Sequence, residues 1–332
     1  MQSRYIIVGN GKSNSVLKEL FRDVIDNKVQ CAQYINPYIF PNAIVRFLYR
    51  AYYCNAIRTA LPTLPNCIWR KFSSVNHIKF SPEEKTYIIY VIGRDVDRLV
   101  DPKMLKKIKN KYGEKVSNVL LLMDSIDVSK EITGWGKVTS FFQCYDKIVT
   151  FDINDSQKYG LIHITDPYSK RIIKIDETKK SNLFFIGEDK QRSVILYKIA
   201  EEANKCGLTC NFLVWGLKEE QINIGFQKLH KYIPYEEMLE YVMVSDCLVE
   251  VLAEGQSSSS LRYYEAVVYN KKLITNNKNI LKMPFYNEDY IQYFESPEDI
   301  DYEWIKNPIK VDYGYNGEFS VNSLLKKISE ES

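Results

Sequence analysis

The chain reads as α/β: two Rossmann-like domains in series with a cleft between them. Three observations predict this. The chain has 332 residues, and a single hydrophobic core stops growing at about 250–300 residues. Short apolar runs alternate with amphipathic stretches, the pattern of parallel strands joined by helices. The alternation breaks at KIDETKK (174–180) and restarts after it. The domains are therefore placed at 1–165 and 183–318, with a linker at 166–182 and a C-terminal helix at 319–332 packing near the domain junction.

The elements follow in order. RYIIVG and the stretch from Asn10 to Ile25 read as strand, turn and helix. Ile44, Phe47, Leu48 and Ala51 recur at three- and four-residue spacing, so a helix is predicted over 42–59, opened by Pro41 and bounded by Pro62 and Pro65. Strands are predicted at 86–92, 117–123 and 146–151, with a helix at 102–112. Residues 152–181 read as irregular and charged. Beyond them come strands at 183–186, 210–215, 246–252 and 272–275, and helices at 193–205, 235–244 and 261–269.

Composition removes several classes of function. The chain is 45% hydrophobic, which excludes a disordered chain. A balance of 45 basic and 42 acidic side chains does not suit a general nucleic-acid binder. The longest apolar runs, TYIIYVI and VLLLM, fall far short of the ~20 residues of a membrane span. The N-terminal stretch shows no secretory signal. The seven cysteines lie mostly among apolar neighbours and read as reduced, buried residues of a cytosolic protein. Three histidines leave little for a multi-His metal centre.

One window is asymmetric. From Asn27 to Pro82 there is no Asp or Glu, while seven Lys and Arg share it with ten aromatic residues. Arg46, Arg50, Arg58, Arg70 and Lys71 would suit anionic lipid headgroups or an anionic, lipid-linked acceptor. The competing reading is an ordinary helix over an aromatic core, with the Arg heads in water.

Two phosphate-loop motifs fail at the N-terminus. The GNGKS run lacks the first Gly of a Walker A loop, since Ile6 occupies that place, and Ser13 and Asn14 stand where the third Gly of GxGxxG belongs. Three polar strand-to-helix turns in the second half are better candidates, because ligands of open parallel sheets bind beyond the carboxyl ends of strands. The first runs from Gly187 to Arg192, and Lys190 and Arg192 add charge suited to a diphosphate. The second, Tyr232 to Glu237, presents backbone and Tyr235 beside Pro234 where a base edge could rest. The third carries Gln256, Ser257, Ser258, Ser259 and Ser260 into a helix whose first turn holds Arg262, an anion cradle in pattern. Glu265, three residues on, could orient Arg262 or hold ribose hydroxyls.

The run LVEVLAEGQSSSSLRYYEAVVYNKKLITNN (248–277) resembles bacterial GT-B glycosyltransferases that build capsular or lipopolysaccharide sugars. Their pattern reads E-G-Q-x-G-L-T-x-R-x-x-E-A followed by K-K-L-I-T-N-N. LLLMDSI (120–126), IVTFDINDSQKYGL (148–161) and LFFIGEDKQRSVIL (183–196) are similar to the same group. The likeness extends from Tyr87 to Asn277 and departs at Ser258, Ser259 and Ser260, where the family has Gly-Leu-Thr or similar.

The resemblance implies a nucleotide-sugar donor, with UDP-sugar favoured, in the C-terminal domain and an acceptor in the N-terminal one. Gly187, Lys190 and Arg192 would face the diphosphate. Gln256, the serine loop and Arg262 would face phosphates or donor sugar, and Glu265 the ribose. The retaining signature of two Glu with seven residues between them is absent, since Ser257 holds the earlier position, eight before Glu265, which tilts the reading to an inverting transfer.

Inversion needs a base on the acceptor hydroxyl. Asp124, directly after the strand VLLLM, is favoured; Asp95 and His163 are alternatives, with Asp97 and Asp127 beside them. No metal or other cofactor is expected. Three further readings stay open: a metal-dependent GT-A enzyme using Asp95 and Asp97, a CMP-sugar transferase, and a non-catalytic partner of a polysaccharide assembly complex. The expected location is cytoplasmic, peripheral on the inner membrane.

Overall fold

A computed structural model describes residues 2–9, 16–54, 57, 67–92, 99–100, 102–123, 125–126, 142–218, 220, 222–253 and 259–331. The chain divides into two compact units, one of Met1–Ser169 with Val321–Ser332 and one of Lys170–Ser320.

The first unit holds strands β1 (Gln2–Val8), β2 (Ala32–Ile35), β3 (Glu84–Val91), β4 (Val116–Leu122), β5 (Lys147–Thr150) and β6 (Ile162–His163). They form one sheet in the order β2-β1-β3-β4-β5-β6, every pair parallel. Strands covered on both faces read as near-continuous apolar runs, and β4 is buried at every position, Ser117 and Asn118 included. Tyr5 and Tyr87, paired across β1 and β3, stack with ring centroids 5.2 Å apart.

Its helices are α1 (Val16–Leu20), α2 (Arg22–Ile25), α3 (Ala43–Tyr52), α4 (Cys67–Arg70), α5 (Pro102–Tyr112), α6 (Ile153–Tyr159) and α11 (Val321–Glu330). Helix α11 is tied to β5 by Lys147, whose Nζ donates to the Ile328 carbonyl at 2.7 Å.

Three expectations are corrected. Helix α3 ends at Tyr52, well short of residue 59, because the Tyr53 and Cys54 amides close its last turn on the Tyr49 and Ala51 carbonyls. The stretch 152–181 is not irregular throughout. Asp152 caps α6 by accepting from the Asn154 and Asp155 amides at 2.8 and 3.0 Å, and Gly160 at φ 65° ends it. Further on, the Ser169 hydroxyl accepts from the Asp23 amide and donates to the Leu20 carbonyl, docking that segment on the first unit. Finally, the cysteines are free but mostly not buried: Cys247 is, whereas Cys54 and Cys67 are exposed.

The aromatic residues of the acid-free window form a cluster of their own. Tyr38, Phe40, Tyr49, Tyr52, Tyr53, Trp69 and Phe72 pack with Leu99, apart from the main core of Ile6, Val8, Ile88, Tyr90 and Leu120. Tyr49 meets Trp69 edge-on at 5.4 Å, a favoured aromatic geometry.

The second unit holds β7 (Ser181–Glu188), β8 (Cys210–Trp215), β9 (Phe226–Lys228), β10 (Ser245–Glu250), β11 (Lys272–Thr275) and β12 (Ile291–Tyr293). Helices α7 (Ser193–Lys205), α8 (Tyr235–Val244), α9 (Leu261–Tyr269) and α10 (Tyr302–Lys306) accompany them. The sheet order is β12-β11-β10-β7-β8-β9, all parallel. Counted from β7, this is the 3-2-1-4-5-6 order of a dinucleotide-binding sheet. Its core gathers Phe185, Leu196, Phe212 and Val249.

Candidate functional site

In the second unit, β7 and β10 are neighbours in space but not in sequence, and this is where the chain reverses its direction of travel across the sheet. In open parallel sheets ligands bind among the loops that leave the carboxyl ends of the strands at such a switch point. Those loops are 187–192 and 251–260, two of the three turns singled out in the sequence.

The loop after β7 is a tight turn. The Arg192 amide donates to the Asp189 carbonyl at 2.7 Å, with Lys190 at φ 41° and Gln191 at φ 65° between them. Left-handed backbone at two successive non-glycine residues is strained and persists only where the surroundings enforce it. The enforcement is visible. The Asp189 carboxylate accepts from the Ser193 amide at 2.8 Å, occupying the start of α7.

The Arg192 guanidinium donates to the Glu188 and Val251 carbonyls, each at 2.5 Å. Arg192 thereby ties the β7 loop to the β10 loop. Burial pushes its pKa down, while Asp189, Glu188 and Glu250 act against that. Gly187 makes room for it: a Cβ there would stand 3.0 Å from Arg192 Nη2 and 3.2 Å from the Phe185 ring. Lys190 stands apart, its ammonium 3.7 Å from the Glu188 carboxylate on the surface.

The start of α9 is built from polar groups that are almost wholly buried. Ser260 caps the helix by accepting from the Arg262 amide. Arg262 is 7% exposed and Glu265 is fully buried. Their side chains pair at 2.5 Å (Nη1 to Oε2) and 3.1 Å (Nη2 to Oε1). The Tyr235 hydroxyl, from the first residue of α8, donates to Glu265 Oε1 at 2.8 Å. The guanidinium also meets Met238 Sδ at 3.2 Å and lies over the Phe184 ring at 5.8 Å.

Glu265 is thus the orienting partner of Arg262. Burial raises its pKa to about 7, against the opposing pull of Arg262 and of the Tyr235 hydrogen bond. Removing one member of such a buried pair costs about 3–5 kcal/mol, because the other charge is left uncompensated.

Glu250, Thr275, Asn276 and Asn277 complete the frame, and the sequence reading assigned none of them to the site. Glu250 ends β10 opposite Thr275 of β11. Its carboxylate accepts from the Ser260 amide at 2.5 Å and the Thr275 hydroxyl at 2.6 Å. Burial raises its pKa, and those two hydrogen bonds work against the rise. Asn276 Oδ1 accepts from the Leu252 amide at 2.8 Å, and Asn277 Nδ2 donates to Ser259 Oγ at 3.0 Å. The TNN of the KKLITNN run therefore braces both ends of the serine loop. Its two lysines act elsewhere: Lys271 donates to the Met243 and Ser245 carbonyls, and Lys272 to those of Trp304, Ile305 and Asn307. The available signal for Glu250 was a lone carboxylate inside the apolar run CLVEVLA.

The structure therefore brings Tyr235, Arg262 and Glu265 together, with Ser260 at the same helix start and Ser259 held beside it. Gln256, Ser257 and Ser258 lie outside the described residues, as do Asp95, Asp97, Asp124 and Asp127. His163 belongs to the first unit, at the carboxyl end of the edge strand β6. Strands lie about 4.8 Å apart, so β6 is offset roughly 10 Å from β4 and farther from β3. Burial lowers the His163 pKa and nearby Lys327 adds to this, while the Phe151 backbone, Asp152 and Glu331 oppose it. Among the described residues no group of three or more His, Cys, Asp or Glu is placed to hold a metal ion.

No protein-family model matches the chain, and no curated protein does. Solved structures do. A UDP-forming α,α-trehalose-phosphate synthase from Burkholderia xenovorans matches at TM-score 0.50 and 11% identity, covering 99% of this chain and 92% of that one. The α,α-trehalose 6-phosphate synthase of Burkholderia multivorans matches at TM-score 0.49 and 9% identity, over 100% and 96% of the two chains. S. aureus TarM matches at TM-score 0.47 and 11% identity, over 74% of this chain. The chain spans 54% of the length of that TarM chain. At such identities the likeness is one of fold: two Rossmann-like units of GT-B type, each with an all-parallel six-stranded sheet.

Proposed function

We propose that the protein is a glycosyltransferase that moves a sugar from a nucleotide-sugar donor, a UDP-sugar, to a growing, lipid-linked surface polysaccharide on the cytoplasmic face of the inner membrane. The observation that carries the reading is the Arg262–Glu265–Tyr235 network, buried at the switch point of a 3-2-1-4-5-6 sheet beside the Ser260 helix cap. A buried arginine held by its own carboxylate is a preorganised anion partner. In this reading Arg262, the serine loop and Lys190 meet the donor diphosphate. Arg192 and Glu250 hold the two loops that form its walls.

Because cationic side chains and a helix start supply the charge, the transfer runs without a divalent ion. The first unit supplies the acceptor site, and Asp124 takes the proton from the acceptor hydroxyl as the sugar inverts. The UDP-forming activity of the Burkholderia xenovorans protein supports uridine as the donor nucleoside. Thermal melting with UDP-, GDP-, dTDP- and CMP-sugars tests the reading. At a ligand concentration of about a hundred times Kd, binding stabilises the native state by about 2.7 kcal/mol. UDP-sugars are expected to raise the melting temperature; a panel without effect refutes the donor assignment.

A further inference from the structure

We infer that the outward face of α3 is a docking surface for an anionic lipid bilayer. The helix is amphipathic, but its apolar residues exceed what the protein covers. At about 100° per residue, Val45, Tyr49 and Tyr52 fall on one side, and these three pack into the aromatic cluster. Phe47 points nearly opposite. Ile44 and Leu48 stand on one shoulder of the outward face, Arg46 and Arg50 on the other. Ile44 is 69% exposed, Phe47 68% and Leu48 51%. Solvent-facing aliphatic and aromatic side chains on consecutive turns, bordered by cations, mark a surface built to be covered.

Charge identifies what covers it. Residues 27–82 contain no Asp or Glu, so the charged side chains this segment itself presents are all basic, Arg46, Arg50 and Lys71 among them. Arg46, Arg50 and Lys71 are exposed. An apolar wedge bordered by the exposed Arg46 and Arg50 complements lipid acyl chains beneath phosphate headgroups. Attachment through this helix lies in the plane of the interface; no helix of the described residues is long and apolar enough to cross a membrane.

The clustered aromatic residues of the window, for which the sequence left a lipid-facing surface and an aromatic core both open, act here as the internal support. They fix the helix so that Phe47 faces outward. This inference stands independently of the transfer reading, because vesicle binding requires no donor and no turnover.

The test is co-sedimentation of the full chain with vesicles of phosphatidylcholine alone and of phosphatidylcholine mixed with phosphatidylglycerol. At low salt the chain is expected to bind the anionic vesicles at least about tenfold more strongly than the neutral ones. About 1 M salt, which shortens the screening length to about 3 Å, should release it. Two variants separate the contributions: Ile44→Ser/Phe47→Ser/Leu48→Ser should lose binding by about tenfold or more, and Arg46→Gln/Arg50→Gln should lose the preference for anionic lipid. Melting curves confirm that each variant is folded, and the single Phe47→Ser change replaces the triple one if the latter melts early. Three results overturn the proposal: no binding to anionic vesicles at low salt, a folded apolar variant that binds like the parent, or binding that ignores lipid charge. Light scattering that shows a dimer dispersed by the apolar variant, without vesicle binding, assigns the face to a second copy instead.

Discussion

Glu265 holds Arg262 through both guanidinium nitrogens, at 2.5 and 3.1 Å, and is itself fully buried. A carboxylate in that position does not face solvent. Its role is to fix the arginine, and this has consequences that solution measurements reach.

Glu265 should impose a pH dependence on stability. Burial raises its folded-state pKa from 4.5 to about 7. A group whose pKa is raised by folding contributes stability that is fully present below the unfolded value and is lost as pH rises through the folded one. The window therefore runs from about pH 4.5 to pH 7, with a loss on the order of 1–3 kcal/mol across it. Denaturant titrations at pH 5 and pH 7.5 should show Glu265→Gln losing less stability than the parent over this interval. An identical slope in both proteins contradicts the assignment.

Arg192 is expected to matter as a clamp. Arg192→Ala removes the donors to the Glu188 and Val251 carbonyls, a loss of about 1–3 kcal/mol, and frees the two loops from each other. Gly187→Ala places a methyl group 3.0 Å from Arg192 Nη2 and should reproduce part of that loss. Hydrogen exchange of the amides at 187–192 checks this directly: protection should fall in both variants, more in Arg192→Ala.

Chelation separates the proposed chemistry from a metal-dependent alternative. Turnover should survive EDTA within about twofold, because charged side chains and helix termini supply the phosphate contacts. Loss of turnover on chelation with recovery on Mn²⁺ moves the site to Asp95 and Asp97.

The central elements were legible and the margins were not. Helices 193–205, 235–244 and 261–269 and strands 210–215 and 272–275 stand where hydrophobic period and turn residues place them. The strands without a sequence signal, β2, β6, β9 and β12, are the outer strands of the two sheets, two to four residues long. Edges are kept short to blunt further pairing, and so few residues set no period.

The site divides in the same way. Arg262 and Glu265 could be paired from their spacing on one helix face. Tyr235 reaches Glu265 from 30 residues away, and Glu250 meets Thr275 across two strands. Contacts of that kind depend on sheet order, which local pattern does not specify.

The most direct test of the central claim is calorimetric titration of UDP-sugar into the parent and Arg262→Lys proteins, both confirmed folded by melting. Lysine keeps the charge but lacks the planar fork that Glu265 holds through both terminal nitrogens. The account predicts saturable binding to the parent and a loss of about 1.5–3 kcal/mol in the variant, the scale of a hydrogen bond to a charged group. Equal affinity in the two folded proteins contradicts the placement of the donor at the β7–β10 switch point.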